Sequence, residues 1–165
     1  HIIGVPEVKR AFHIPVYASE TEDAMLADTS INLSCHVPGK QTSFHADVLV
    51  HDGDELELLG YKWKVIATPG HTAGSVSYYI LEEEVLLSGD TLFYESYGRT
   101  DLATGSSSDI NYLCFRKILW SIRDMGIQLP LAMKRSTILF RITDKYERGT
   151  IDRKQEENDR IINTG

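Results

Sequence analysis

Two cysteines in 165 residues, Cys35 and Cys114, are too few and too far apart for a disulfide framework or a zinc knuckle. They read as two buried thiols of a reducing, cytoplasmic compartment. No apolar run approaches the ~20 residues that a membrane-spanning helix needs. No stretch has the layout of a signal peptide, and there are no repeats or low-complexity tracts. Positive charge is scarce as well. Lys and Arg number 17 against 24 Asp and Glu, a net charge of −7, which argues against nucleic acid or an anionic membrane as partner. The first residue is His1 rather than methionine, which predicts a start further upstream. What is there is ordinary globular composition, 42% hydrophobic and 25% charged, in a chain long enough for one domain with a buried core.

Histidine and charge are unevenly placed. Residues 1–108 hold 6 basic and 16 acidic side chains, and residues 109–165 hold 11 basic and 8 acidic. All six histidines and nine of the twelve glycines lie in the first part. The chain therefore reads as two unlike pieces, 1–108 and 109–165.

In the first piece, Val5, Val8, Ala11 and Phe12 recur at helical spacing over Gly4–Phe12, with Pro6 where a first turn tolerates it. Ile14–Ala18 predicts a short strand. Ser19 with Glu22 three residues on predicts a capped helix running to Met25. Residues 29–46 lack regularity. Asp47–Val50 and Glu55–Leu59 read as strands around His51-Asp52-Gly53-Asp54, which has hairpin chemistry. Tyr61–Ala67 follows as a strand with one drier face, and Ser75–Leu81 and Glu84–Ser88 as two more. The predicted plan is strand after strand in hairpins, with flanking helices. Glu82-Glu83-Glu84 reads as a solvated turn.

Two short loops, each at the end of an apolar strand, carry chemistry. Thr68-Pro69-Gly70-His71-Thr72-Ala73-Gly74-Ser75 forces a tight turn that holds a histidine at a strand end. Ser88-Gly89-Asp90-Thr91-Leu92-Phe93 places a carboxylate in the same way. Imidazole and carboxylate on adjacent strand ends are what zinc or iron needs, at ligand distances near ~2.0–2.2 Å. The plainer alternative, a turn histidine and a turn-capping aspartate, stands equally on these residues alone.

The wording of these loops, their separation, the preceding DGDELELLGYKWKVIATPGHTAGSVSYYI and the following Gly98-Arg99-Thr100-Asp101 resemble the metallo-β-lactamase superfamily, in its glyoxalase II-like branch. The resemblance covers most of residues 1–108. It implies an α/β fold, a four-layer αββα sandwich, incomplete in this chain, with metals in a cleft at one edge. It implies that His1 is the last ligand of a His-x-His-x-Asp-His motif, that His71 is a ligand of the first metal, and that Asp90 bridges two metals. It places Arg99 where a cation takes the glycine carboxylate of a glutathione-type thiol, through the planar fork that suits a carboxylate. The alternative for Arg99 is a solvated surface charge. His13, His36, His45 and His51 match no ligand motif and read as structural or exposed.

The superfamily's C-terminal part calls for Pro-Gly-His-Gly, yet no histidine follows His71. Combining the last base of each codon with the first two of the next lets Trp120–Gly126 spell Val-Tyr-Pro-Gly-His-Gly. The same reading allows Asn-Pro-Thr-Thr-Ile-Gly-Tyr-Glu through Lys134 and Lys, a charged residue and His-Asn-Pro-Phe through Phe140, the usual ending of glyoxalase II-like proteins. Residues from about Asp109 onward are thus expected to be an out-of-frame translation, with exposed apolar surface or a poorly packed tail. The alternative is a divergent helical tail, for which Ile118, Leu119 and Ile122 give some periodicity.

The function implied is a metal-dependent hydrolase of a glutathione-linked thioester such as S-lactoylglutathione, with zinc, or iron or manganese, as cofactor. With His1, His71 and Asp90 alone, weak metal binding and little turnover are expected. Two other readings remain open: a persulfide dioxygenase-like enzyme with one non-haem iron, and a non-catalytic degenerate fragment.

Overall fold

The computed structural model describes residues 2–93 and 96–110, then 114, 117, 118, 120 and 121, and the backbone of 131–132 and 139–142. A single 3-10 turn, Ile2–Gly4, leads into α1 (Val5–Phe12), with Pro6 in its first turn and His13 closing it in the left-handed conformation. Strand β1 is Tyr17–Ser19, so Ile14–Val16 is approach rather than strand. Helix α2 (Glu20–Leu26) starts as the Ser19 pattern predicts: the Ser19 hydroxyl accepts from the Glu22 amide. The reciprocal half of the capping box is absent, because the Glu22 carboxylate instead accepts from the Thr72 hydroxyl. Residues 29–46 hold one 3-10 turn, Ser34–His36.

Strand β2 (Val48–Val50) pairs in parallel with β1 rather than forming a hairpin with β3 (Glu55–Leu58). The turn at 51–54 therefore carries the chain from one sheet to another. Strands β3, β4 (Tyr61–Ala67), β5 (Val76–Ile80) and β6 (Val85–Leu87) are successive antiparallel neighbours, as the alternation predicts. The small hairpin of β7 (Leu92–Phe93) and β8 (Ser96–Tyr97) has no counterpart in the sequence reading. β9 (Leu131–Ala132) and β10 (Leu139–Ile142) extend the larger sheet, giving the order β3-β4-β5-β6-β10-β9.

The core sits largely on the larger sheet. Opposite residues in a ladder share a face, so Ile66, Ser77, Tyr79 and Leu86 point one way, and Val65, Tyr78 and Leu87 the other. The first set is fully buried; of the second, Val65 is. β4 is thus dry on both faces at its C-terminal end, where one drier face was expected. Of the described residues after Ser106, Trp120 is exposed, as expected of that piece, while others join the core. Ile110, Cys114 and Ile118, spaced by one helical turn, are all buried. Gly70 (φ 140°) lies so close to Ile110 that a Cβ there would collide with it. Burial pushes the pKa of the Cys114 thiol up to about 11, which disfavours the thiolate. Among the described residues, no helix is long and apolar enough to cross a membrane.

Candidate metal centre

The two loops picked out by sequence leave the C-terminal ends of β4 and β6. The first is closed by backbone bonds, Thr68 N to Ser75 O at 2.9 Å and Gly70 N to Thr72 O at 3.0 Å. Thr72 and Ser75 hydroxyls lie 2.7 Å apart inside it. Its outer edge is tied to α2: the Thr72 hydroxyl donates to Glu22 Oε2 at 2.7 Å, and the Ser19 hydroxyl donates to the Gly74 carbonyl at 2.6 Å.

Beneath the loops runs a buried hydroxyl row. Thr68 Oγ1 is 3.1 Å from Ser77 Oγ and 3.3 Å from Thr91 Oγ1. Thr68 precedes the His71 turn and Thr91 follows Asp90, so this row joins the two loops through side chains that water does not reach. Sequence reasoning missed it. The available signal was three hydroxyl residues at strand ends, each adjoining an apolar run.

At the surface of this frame, His71 Nε2 lies 3.5 Å from Asp90 Oδ2, each side chain about one-fifth exposed. Both line a cavity of about 410 Å³ whose walls include Met25, Leu26, Ile31 and Leu102. The other ring nitrogen, His71 Nδ1, lies 2.8 Å from the Arg99 carbonyl oxygen. The Arg99 guanidinium itself binds Asp101 bidentately at 2.6 and 2.7 Å. That fork holds the Asp101 carboxyl below the usual carboxylate range.

The structure thus brings His71 and Asp90 together and sets Arg99 beside them through its backbone. His1, also expected in the site, lies outside the described residues. Among the described residues, no group of three or more His, Cys, Asp or Glu side chains forms a cage. His45 pairs with Asp23 and His51 with Asp54, away from the cavity.

The profile of the Metallo-beta-lactamase superfamily matches residues 1–131. The chain belongs to the metallo-β-lactamase superfamily. Within it, the probable metallo-hydrolase YqgX of Bacillus subtilis (strain 168) is 38% identical over 120 residues, covering 72% of this chain and 57% of that protein. The hydroxyacylglutathione hydrolase of Brucella ovis is 36% identical over 99 residues, 60% of this chain and 32% of its own. Among solved structures, the BLEG-1 B3 metallo-beta-lactamase superposes with a TM-score of 0.61 at 40% identity, covering 67% of this chain and 54% of that one. The chain spans about half the length of YqgX and of BLEG-1, and about a third of the Brucella hydrolase. Its fold is accordingly a partial metallo-β-lactamase fold: among the described residues, a six-stranded sheet and two two-stranded ones, with α2 packed on the β1–β2 pair and the His71 and Asp90 loops at strand ends of the larger sheet.

Proposed function

We propose that this chain carries metal-holding loops of a hydrolase acting on an acyl thioester, with a glutathione-type thiol as carrier. The convergence of His71 Nε2 and Asp90 Oδ2 on one cavity, in a chain of this superfamily, carries the reading. An imidazole nitrogen beside a carboxylate oxygen is a donor pair for zinc, and also for iron or manganese. Two donors fill half of a four-coordinate shell, and in this reading His1 adds a third. A divalent ion, when bound, supplies an acidified water and polarises the acyl carbonyl. The chain's own groups do the rest. His71 presents Nε2, Asp90 brings the negative charge that holds the cation, and Met25, Leu26 and Ile31 give the acyl group an apolar wall. Arg99 keeps Asp101 on Nε and Nη2 and offers Nη1 to a substrate carboxylate.

The test is zinc, iron and manganese titration of the 165-residue chain, with hydrolysis of S-lactoylglutathione and of a β-lactam measured alongside. We expect weak metal uptake abolished by His71→Ala and by Asp90→Ala, a small metal-dependent rise in melting temperature, and trace turnover of the thioester only. Metal uptake indifferent to both substitutions, or preference for the lactam, overturns the reading.

We propose further that the coding frame changes near Ser108. The reversal of charge and the loss of histidine after that point support this, as does the Val-Tyr-Pro-Gly-His-Gly that Trp120–Gly126 can spell. Against a change as early as Ser108 stand the profile match through residue 131 and the burial of Ile110, Cys114 and Ile118. Nucleotides that yield no Pro-Gly-His-Gly in the shifted frame refute it.

A further inference from the structure

Three constraints in the Gly98–Asp101 turn converge on His71. The Arg99 carbonyl oxygen is 2.8 Å from His71 Nδ1. A carbonyl can only accept, so this contact requires a proton on Nδ1, and in a neutral ring that leaves the lone pair on Nε2, the nitrogen 3.5 Å from Asp90 Oδ2. The carbonyl is aimed by the turn, which the Arg99 fork closes on Asp101. The turn can approach because residue 98 is glycine: a Cβ there would collide with the Asp90 carbonyl oxygen and lie 3.3 Å from His71 Nδ1. The Gly98 amide also donates to the Thr91 carbonyl at 3.3 Å, so the turn is laced to the Asp90 loop as well.

We propose that this turn is the positioning element of the centre, with Gly98, Arg99 and Asp101 as positioning residues. Gly98 permits the close pass, the Arg99 main chain fixes the tautomer and orientation of His71, and Asp101 holds the main chain in place. The GRTD motif thereby acts through its backbone, whatever the Arg99 side chain does with substrate. The proposal rests on the reading of His71 as a ligand, but the tautomer is a property of the metal-free chain and can be measured without metal.

The experiment is long-range proton–nitrogen correlation of the nitrogen-labelled full chain, metal-free, at a pH where its imidazoles are neutral. His71→Gln assigns the signal. We expect a single Nδ1–H tautomer for His71. Asp101→Asn should give a mixed population, and Gly98→Ala a larger departure. Arg99→Lys, which keeps one charged contact, should retain more of the Nδ1–H form than Arg99→Ala. Zinc affinity should fall in the same order, by ~10–100-fold at most, as for other lost partners of a ligating histidine. Because the Arg99–Asp101 pair is exposed, Asp101→Asn should hardly move the melting temperature. A purely structural role would move the melting temperature instead of the tautomer. An Nε2–H or mixed His71 in the unaltered chain overturns the proposal, as does an unchanged tautomer in both Asp101→Asn and Gly98→Ala. A fixed tautomer released by these variants, in a chain that takes up no metal, upholds it and sinks the hydrolase reading.

Discussion

The two faces of the larger sheet are finished to different degrees. One face buries Ile66, Ser77, Tyr79 and Leu86 completely in β4 to β6 and carries the charged Glu55, Glu57, Lys62 and Lys64 towards its β3 edge. On the other, Val65 is buried, but Trp63, Tyr78, Ile80, Val85 and Leu87 are only partly covered, and Val76 and Tyr78 line the cavity that also holds His71 and Asp90. Around Ile66 the packed core and the cavity therefore lie on opposite sides of the same strands. Substitutions on the first face should report on folding, and those on the second on the cavity.

The largest expected effect tests this division directly. Ile66→Ala removes a side chain 1% exposed and should cost ~2–5 kcal/mol in urea unfolding. Ile80→Ala, half-buried on the other face, should cost ~1 kcal/mol. Equal costs would mean that the cavity face is as tightly packed as its opposite.

Next in size is Thr68→Val, which keeps the shape but breaks both bonds of the buried hydroxyl row. With Ser77 and Thr91 each losing a partner, the expected cost is ~1–3 kcal/mol. Because Thr68 also joins the two loops, His71 and Asp90 resonances should shift in the same variant. A stability loss without those shifts would confine the row to the core.

Tyr78 and Tyr79 offer the same test on both faces with opposite sign. Both hydroxyls are buried with no hydrogen-bond partner among the described residues, and burial pushes each up to about 12. Removing an unpartnered polar group relieves its desolvation. Tyr79→Phe and Tyr78→Phe should therefore each raise stability, by at most ~1 kcal/mol. A loss on unfolding analysis would reveal a partner for that hydroxyl.

Much of this was legible beforehand, for physical reasons. Strands β3 to β6 are hairpin-linked neighbours, so local alternation and turn residues suffice to predict them. The β1–β2 pair is parallel and joined through α2 and the irregular 29–46 segment. No local pattern marks such a pairing, and the turn chemistry at 51–54 pointed to the wrong sheet. At the centre, His71 and Asp90 were legible because proline and glycine frame them in fixed words. Thr68, Ser77 and Thr91 were not, since a hydroxyl reveals its partner only once distant strands align. Arg99 was read for its fork, whereas its contact with His71 is a main-chain oxygen that any residue type could supply.

The smallest expected effect concerns the join between the two pieces. Asp52, in the turn between the sheets, accepts from the Ala67 amide at 2.8 Å and pairs with Lys117 at 2.8 Å. Burial pushes its carboxyl up, but Lys117, the Ala67 amide and Lys64 outweigh that, so the folded-state pKa lies below the ordinary 3.8. A carboxyl depressed by folding contributes stability above its unfolded pKa and loses it as pH falls through the folded value. Asp52→Asn should thus be less stable than the parent at pH 7, by ~0.2–1 kcal/mol for a pair this exposed, and the gap should close below about pH 4. Lys117→Met isolates the ionic part, since it leaves the Ala67 bond intact. If Lys117→Met matches the parent at every pH while Asp52→Asn does not, the backbone bond alone holds this turn, and the tail beyond Ser108 contributes nothing through Lys117 to the domain it adjoins.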